Sequence, residues 1–308
     1  MDHRSAQTPS AVIMIRPHQF SPNQETANDN AFQQSVAGMD PDAVAQAAYN
    51  EVTRAAEQLN FTGIQTHIFE DKTTETPDSV FPNNWFSTYS GGHVAIYPMF
   101  AENRRKERRR DVIDMLKSEY RVQDVIDYSG LEHDELFLEG TGAMVLDHIE
   151  RVAYAVSSNR TNPVILERFC THFNYEPMVF DAADAGGVPV YHTNVLMCIA
   201  TDFALIGLDM IADADRRSEI VRRLEASGRD VIALSNEQIA NFAGNAIELY
   251  GNGSRILVLS ARALQSLLPD QVKRIGASAR TLALEVPTIE YAGGSVRCML
   301  AGVHLSSR

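Results

Sequence analysis

The sequence is poor in cysteine and tryptophan and lacks any long uninterrupted hydrophobic run. Its three cysteines, Cys170, Cys198 and Cys298, are too few and odd in number for a disulfide framework, which favours a reducing cytoplasm. No cysteine or histidine cluster has the spacing of a zinc site, so we expect no metal. No window is long enough to span a membrane, and the polar first residues lack the apolar segment of a signal peptide. A cytoplasmic protein without a membrane partner is predicted.

Positive charge is also scarce, since 27 lysines and arginines face 40 acidic residues and leave a net charge of −13. This balance disfavours nucleic acid and anionic membranes as partners. The exception is the basic run from Arg104 to Arg110, in a segment with helical character. No aromatic residues are interleaved with it, so we interpret the run as the solvated face of a helix.

Short strand-like runs alternate with amphipathic helices through most of the chain, and 44% hydrophobic residues suffice for a large core. Helices are predicted over residues 41–58, 102–118, 162–173, 212–226 and 269–279. Two adjacent strands, a helix and a third strand recur, first at 142–146, 152–156, 162–173 and 177–181. This ββαβ repetition predicts an α/β fold built from similar units. We expect one domain over residues 11–308 after a flexible terminus at 1–10.

The most informative segment is Gly293–Met299, in which Cys298 follows a glycine pair and an arginine. Glycines allow a tight turn and a close approach of the backbone to a ligand, so a thiol placed here can face a pocket. Upstream, Glu139 and His192 each lie at a strand edge or in a loop. Together the three residues form a candidate Cys/His/Glu nucleophile set.

Five short motifs, in this order, resemble those of the guanidino-group-modifying (pentein) superfamily, which includes arginine deiminases, amidinotransferases and dimethylargininases. They are Phe81-Pro82-Asn83-Asn84-Trp85, Leu138-Glu139-Gly140-Thr141-Gly142, Ser157-Ser158-Asn159-Arg160-Thr161, His192-Thr193-Asn194 and Gly293-Gly294 through Cys298-Met299. The resemblance implies a five-bladed α/β propeller of pseudo-fivefold ββαβ repeats with the active site on its axis. The similarity is greatest to the bacterial citrulline-utilisation hydrolases.

The resemblance implies that Cys298 is the nucleophile, that His192 is the general acid and base, and that Glu139 orients His192. This sequence differs from the family pattern at two positions, because arginine-processing relatives carry carboxylates where it has Asn84 and Asn194. A guanidinium is positive and only donates hydrogen bonds, whereas a ureido group is neutral and offers both an acceptor and donors. The two asparagines therefore favour a ureido amino acid over arginine.

Further residues are assigned to the substrate pocket. Arg160 is a candidate clamp for the α-carboxylate, with a surface salt bridge as the alternative. Asp78 and Asn83 are expected to contact the α-amino group, and Asn245 to line the pocket. Trp85 either forms a pocket wall or packs in the core.

The predicted reaction is the hydrolysis of citrulline to ornithine, CO2 and NH3 through a covalent thiol intermediate, with no metal or organic cofactor. Arginine deiminase or dihydrolase activity and amidinotransferase activity remain open, as does a non-catalytic binding module on the same fold. A small amino acid is the expected partner. The oligomeric state is open, with a homodimer as one alternative.

Overall fold

The computed structural model describes residues 5–27 and 30–308 of the chain. The strands in these residues are β1 Ala11–Pro17, β2 Gln65–Asp71, β3 Phe86–Tyr89, β4 His93–Ile96, β5 Asp124–Asp127, β6 Met144–Asp147, β7 Val152–Val156, β8 Glu176–Phe180, β9 Met197–Ile199, β10 Phe203–Ile206, β11 Asp230–Ala233, β12 Ile247–Gly251, β13 Ser254–Ser260, β14 Arg280–Leu284 and β15 Ala301–Gly302. The α-helices in the same residues are α1 Pro41–Phe61, α2 Glu102–Arg105, α3 Arg110–Glu119, α4 Gly140–Ala143, α5 Pro163–Phe173, α6 Ala214–Ala226, α7 Asn236–Ala240, α8 Ala261–Ser266, α9 Pro269–Gly276 and α10 Val296–Met299.

The strands form five three-stranded sheets that share one topology. In chain order, the first two strands of each repeat are antiparallel and the second and third are parallel, as in β3-β4-β5, β6-β7-β8, β9-β10-β11 and β12-β13-β14. The remaining sheet follows the same pattern with strands from both ends of the chain, in the order β15-β1-β2. The repetition inferred from the sequence is therefore present as five equivalent units.

The parallel pair in each sheet explains the helices, because two parallel strands need a crossover connection. Helix α1 connects β1 to β2 and α5 connects β7 to β8, and both begin where the sequence supplies a cap followed by proline. The Asp40 side chain accepts from the amide of Asp42, and the Asn162 side chain accepts from that of Val164. Such caps satisfy the free amides of a first helical turn.

Alternate residues of the middle strands enter different hydrophobic clusters. In β1, Val12 and Met14 pack with residues of β13, whereas Ile13 and Ile15 pack with Val94 of β4. Successive sheets share clusters in the same way around the molecule, and the fifth sheet packs against the first. The result is a closed cycle of five sheets with a core between each neighbouring pair.

The structure differs from the sequence prediction over residues 102–118. The predicted single helix is divided into α2 and α3, with residues 106–109 between them. The basic run lies across this break, so its side chains do not share one helical face. Arg110 is exposed, but Arg104 is buried at 2% relative accessibility, and the interpretation as a solvated face is wrong for Arg104.

The terminus predicted to be flexible lies only partly within the described residues, which begin at Ser5. Gln7 and Thr8 are buried. The Gln7 Nε2 donates to the carbonyls of Leu146 and Ile199, at the ends of β6 and β9. Residues 7–8 are thus packed against two sheets, because one amide group completes hydrogen bonds that both strands leave open.

In residues 5–27 and 30–308, no helix is long and apolar enough to cross a membrane.

Candidate active site

Seven of the nine predicted site residues lie at equivalent places in the five sheets, on the segments that lead into the first strand of each repeat. Asn83 and Asn84 precede β3, Glu139 precedes β6, His192 and Asn194 precede β9, Asn245 precedes β12, and Cys298 precedes β15. Residues more than 200 positions apart in the sequence therefore meet at one end of the first strands. All seven are at most 4% exposed.

The carboxylate of Glu139 contacts the imidazole of His192. The Glu139 Oε2 lies 2.8 Å from the His192 Nε2, and its Oε1 accepts from the amide of Phe100 at 3.0 Å. Burial alone would raise the pKa of Glu139, but the charge of Arg160 and the hydrogen bond from His192 hold this pKa well below its usual range. Glu139 is thus an ionised acceptor in contact with the histidine.

An ionised carboxylate can only accept, so we assign the Nε2 proton of His192 to the bond with Glu139. The other ring nitrogen, Nδ1, lies beside Gly142, where an added Cβ would come within 3.0 Å of it. Burial lowers the pKa of His192 further than Glu139 raises it. A neutral imidazole with a free Nδ1 lone pair is the form suited to a general base.

The thiol of Cys298 accepts hydrogen bonds from two asparagines. The Nδ2 atoms of Asn194 and Asn245 each lie 3.2 Å from its Sγ. Asn245 is itself fixed, because its Oδ1 accepts from the amide of Arg297 at 2.9 Å. Two amide donors therefore converge on the sulfur and hold the Cys298 side chain in place. In the described part of the chain, no hydrogen bond joins Cys298 directly to His192.

Asn194 has a second polar atom with a different environment. Its Oδ1 is buried and has no hydrogen-bond partner within the described residues. A buried acceptor without a partner is unusual and costs free energy. Because the same side chain contacts Cys298, this oxygen is available to a group bound beside the thiol.

Arg104, which the sequence placed on a solvated face, is a central member of the site. Its guanidinium donates to Glu107 through Nε at 2.9 Å and Nη2 at 3.0 Å, and its Nη1 lies 3.8 Å from Glu139. Its Nε also lies 3.6 Å from the Asp78 carboxylate. The sequence contained one indication of this ion pair, since Arg104 and Glu107 are three residues apart and can contact each other within one helical turn.

The three acidic neighbours influence one another through Arg104. Burial raises the pKa of Glu107 to about 7, and it also raises that of Asp78, in both cases against the opposing charge of Arg104. Burial lowers the pKa of Arg104, but the surrounding carboxylates outweigh this effect and raise it overall. Asp78 also accepts from Asn23 at 2.8 Å. The guanidinium of Arg104 is therefore a permanent positive charge surrounded by buried carboxyl groups.

Arg104 fixes the amide of Asn84. In the orientation that satisfies both groups, the Asn84 oxygen accepts from Nη1 and Nη2 of Arg104, each at 3.0 Å. The opposite amide atom is then the nitrogen. It faces Gly142, where an added Cβ would lie 2.1 Å from it and 3.0 Å from the His192 ring. Asn84 thus presents its N–H donors toward the imidazole.

Arg160 is buried at 1% relative accessibility and not part of a surface salt bridge. Its Nη1 lies 3.5 Å from Glu139, and its guanidinium carbon lies 4.8 Å from the ring centre of Tyr191. The Tyr191 hydroxyl donates to the carbonyl of Gly293, on the glycine pair before Cys298. Tyr191 therefore links the arginine to the nucleophile segment, a contact that the sequence did not indicate.

The remaining predicted residues have mainly structural contacts. Asn83 is fully buried, its carbonyl accepts from Thr141, and its Nδ2 has no partner in the described chain. Trp85 packs against Phe86 with ring centres 4.3 Å apart, within a hydrophobic cluster. Of the two readings of Trp85, the structure shows the core residue. The described residues contain no group of metal-ligating side chains that could hold an ion.

Comparison with known proteins identifies the family. A family model described as N,N dimethylarginine dimethylhydrolase, eukaryotic, matches residues 16–305. The chain belongs to this family. Its membership confirms the resemblance to the guanidino-group-modifying enzymes of the pentein superfamily. No curated protein matches the sequence.

Several solved structures share the fold of this chain at low sequence identity. The N-terminal domain of ArgZ, an arginine dihydrolase from the ornithine-ammonia cycle in cyanobacteria, has a TM-score of 0.73 and 16% identity over 95% of this chain and 97% of its own. AgrE in complex with L-arginine has a TM-score of 0.74 and 17% identity over 97% of this chain and 40% of its own. A dimethylarginine dimethylaminohydrolase adduct with S-methyl-L-thiocitrulline gives 0.63 and 14%, covering 96% of this chain and 100% of its own.

Proposed function

We propose that this protein hydrolyses a ureido amino acid, citrulline, to ornithine, CO2 and NH3 through a covalent intermediate on Cys298. The proposal includes a five-bladed propeller arrangement of the five sheets, with the site where the segments before the first strands converge. This arrangement is supported by the shared sheet topology and by the closed cycle of hydrophobic clusters.

The observation that carries the proposal is the orientation of two amides. Asn84 turns its oxygen to Arg104 and its N–H donors toward His192. Asn194 donates to Cys298 and keeps a buried Oδ1 acceptor. One donor and one acceptor beside the thiol complement a ureido group, whose carbonyl accepts and whose NH2 donates. A guanidinium would meet the Asn84 donors with its own donors, and neither Asn84 nor Asn194 supplies a carboxylate to offset its charge.

The remaining polar groups suit an amino acid backbone. Arg104 and Arg160 both lie within 4 Å of Glu139, so two guanidiniums face one region of the pocket. We assign Arg160 to the substrate carboxylate, because arginine binds carboxylates through paired hydrogen bonds. Arg104 is held by Glu107 and Asn84 and is not assigned to the substrate. Asp78 is assigned to the α-amino group, because it is a buried carboxylate outside the triad that lies 3.6 Å from Arg104.

The mechanism starts with the neutral His192, which takes the proton of the Cys298 thiol at Nδ1. The thiolate adds to the ureido carbon, and the developing oxyanion accepts hydrogen bonds from the Asn84 amide. Collapse of the tetrahedral adduct expels one amine, which receives the proton from His192, and leaves a thiocarbamate-type ester on sulfur. Glu139 stabilises the imidazolium that forms between these steps.

Water then completes the reaction. His192, neutral again, takes a proton from water as the hydroxide attacks the thioester carbon, and the Cys298 thiolate leaves. The carbamic acid that results separates into CO2 and amine. In sum, citrulline and one water give ornithine, CO2 and NH3, and the thiol is regenerated.

A second candidate is an arginine dihydrolase. The solved structures that share the fold include ArgZ, described as an arginine dihydrolase, and AgrE bound to L-arginine. Such an enzyme would also need to hydrolyse a ureido intermediate, so the asparagine arrangement serves its second step. The two candidates differ in whether the free guanidino group is a substrate.

The test measures ornithine and ammonia release with citrulline and with arginine in parallel, using Cys298→Ser as the inactive control. Turnover of citrulline alone, lost in the variant, is the expected result. Comparable or greater turnover of arginine would replace the proposal by the dihydrolase. Release of ornithine only when an acceptor amine is added would indicate a transferase instead.

A further inference from the structure

A second polar cavity lies among the first strands of the sheets, apart from the catalytic residues. Two adjoining, partly enclosed cavities of about 40 and 30 Å³ share part of their lining. The shared residues are Leu146, His148, Ile247, Arg297 and His304. Cys298, His192 and Glu139 line neither cavity. Arg297 thus sends its side chain into this space, although its neighbour Cys298 faces the catalytic site.

Arg297 is half-buried and differs from the buried arginines of the molecule. Three of them contact carboxylates, in the pairs Arg104–Glu107, Arg160–Glu139 and Arg229–Asp147. Arg297 donates through Nη1 to the carbonyl of Leu300 at 3.0 Å, and it forms no ion pair within the described residues. A guanidinium has five N–H donors, so most of the donors of Arg297 remain for a group bound in the cavity. Burial lowers the pKa of Arg297, consistent with a cation that lacks a countercharge.

Two histidines complete the wall beside Arg297. The rings of His148 and His304 lie 4.1 Å apart, and the His148 Nδ1 contacts the Tyr175 hydroxyl at 2.8 Å. Burial, with a smaller effect from Arg297, lowers the pKa of His304 to about 4. Burial likewise lowers that of His148. Neutral imidazoles beside an arginine can each donate one N–H without adding further positive charge.

The acidic group of the lining is Glu248, in the first cavity only. Its Oε2 accepts from the amide and hydroxyl of Thr201, both at 2.7 Å, and burial raises its pKa. Its Oε1 is buried without a hydrogen-bond partner in the described residues, and no ion pair joins Glu248 to Arg297 there. The charge of the shared wall is therefore set by Arg297.

We propose that this cavity binds a small planar carboxylate-type anion, a carboxylate or bicarbonate, on the guanidinium of Arg297. The planar guanidinium fork matches two oxygens of such an anion. The site is separate from the catalytic pocket and does not depend on which substrate the enzyme hydrolyses. Formate and bicarbonate represent the two sources of this chemistry.

The test is thermal unfolding at constant ionic strength, in which chloride is replaced stepwise by formate or by bicarbonate. At ten times the dissociation constant, the midpoint of the wild-type protein should rise by about 3 °C and level off. The anion that saturates at the lower concentration identifies the source. Because Arg104 and Arg160 can also attract carboxylates, Arg160→Gln serves as the control and should retain the shift.

Arg297→Gln keeps the length and a donor but removes the charge, and it should abolish the saturable shift. Since Arg297 adjoins the nucleophile segment, Arg297→Lys provides a second variant, which keeps the charge but not the planar fork and should weaken binding about fivefold. A shift that survives in both variants, or that disappears in Arg160→Gln, overturns the proposal. So does a wild-type midpoint that does not move, or that rises without saturation.

Discussion

At the scale of single residues, the proposed function depends on which atom of the Asn84 amide faces the substrate. Asn84 differs from aspartate by one atom, and its orientation is set by the two hydrogen bonds from Arg104. Arg104 is fixed in turn by Glu107. Arg104 does not contact the reacting group in our proposal, but it determines which atom of Asn84 faces that group.

Replacing Asn84 by aspartate tests this role directly. One carboxylate oxygen would still bind Arg104, but the other would place an acceptor where the amide donors face His192. We expect kcat/KM for citrulline to fall about 100-fold, because a donor to the oxyanion is lost. The kcat/KM for arginine should fall less than this or increase. Parallel kinetics with both substrates measure the ratio. An equal loss for both would show that Asn84 does not set the preference.

Glu139→Gln addresses the triad. The glutamine is similar in shape but removes the charge that stabilises the imidazolium, so kcat should fall by roughly 10²–10⁴. Asp147→Asn is the matched control, because Asp147 is equally buried and paired with Arg229 at a distance from the catalytic residues. Both variants should have lower melting temperatures, since each removes a buried carboxylate that pairs with a buried arginine. Similar kcat values in the two variants would contradict the role of Glu139.

At the scale of elements, the short helix α4 shows how closely the site segments pack. An added Cβ at Gly142 would lie 2.1 Å from the Asn84 amide and 3.0 Å from the His192 ring. Gly140 has a positive φ of 45° and approaches the carbonyls of Asn83 and Asn84. The glycines of this motif are therefore required by the approach of two neighbouring segments.

Gly142→Ala should displace the Asn84 amide or the imidazole and so reduce kcat at least about 100-fold, because misplacement of a reacting group by about 1 Å has effects of this size. Gly276→Ala is the control, since a Cβ there meets no atom within 4 Å and alanine is favoured in helices. That variant should keep full activity and be slightly more stable. Activity assays and melting curves on both proteins make the comparison, and an active Gly142→Ala variant would refute the packing argument.

The elements also show what the sequence can predict. The helix predicted over 41–58 corresponds to α1, because its cap, its proline and its hydrophobic spacing are all local signals. Arg104 could not be assigned in this way. Its burial depends on Asp78, Glu107 and Glu139, two of which lie more than 20 residues away and reach it only in the folded chain. Charge runs indicate exposure only when no distant carboxylate compensates them.

For the whole molecule, the chain closes on itself next to the nucleophile. Strand β15, two residues after α10, pairs with Val12 and Ile13 of β1, and the amide of Val303 donates to the carbonyl of Ala11 at 2.8 Å. The position of Cys298 thus depends on the pairing of the two ends of the described fold. The repeated motif was visible in the sequence, but this pairing requires the cyclic arrangement of the five sheets.

The buried histidines beside this closing strand predict how stability responds to acid. The pKa of His304 is lowered to about 4 in the folded protein, against about 6.5 in the unfolded chain. Between these values the unfolded chain binds the proton and the folded protein does not, so the contribution of His304 is fully present above pH 6.5 and lost as pH falls to 4. The free energy of unfolding of the wild-type protein should therefore decrease relative to that of His304→Leu between pH 7 and 4. Denaturant titrations in piperazine and bis-tris buffers, which add no carboxylate, measure this difference. A constant difference over the range would mean that His304 titrates alike in both states and that its burial does not exclude the charged form.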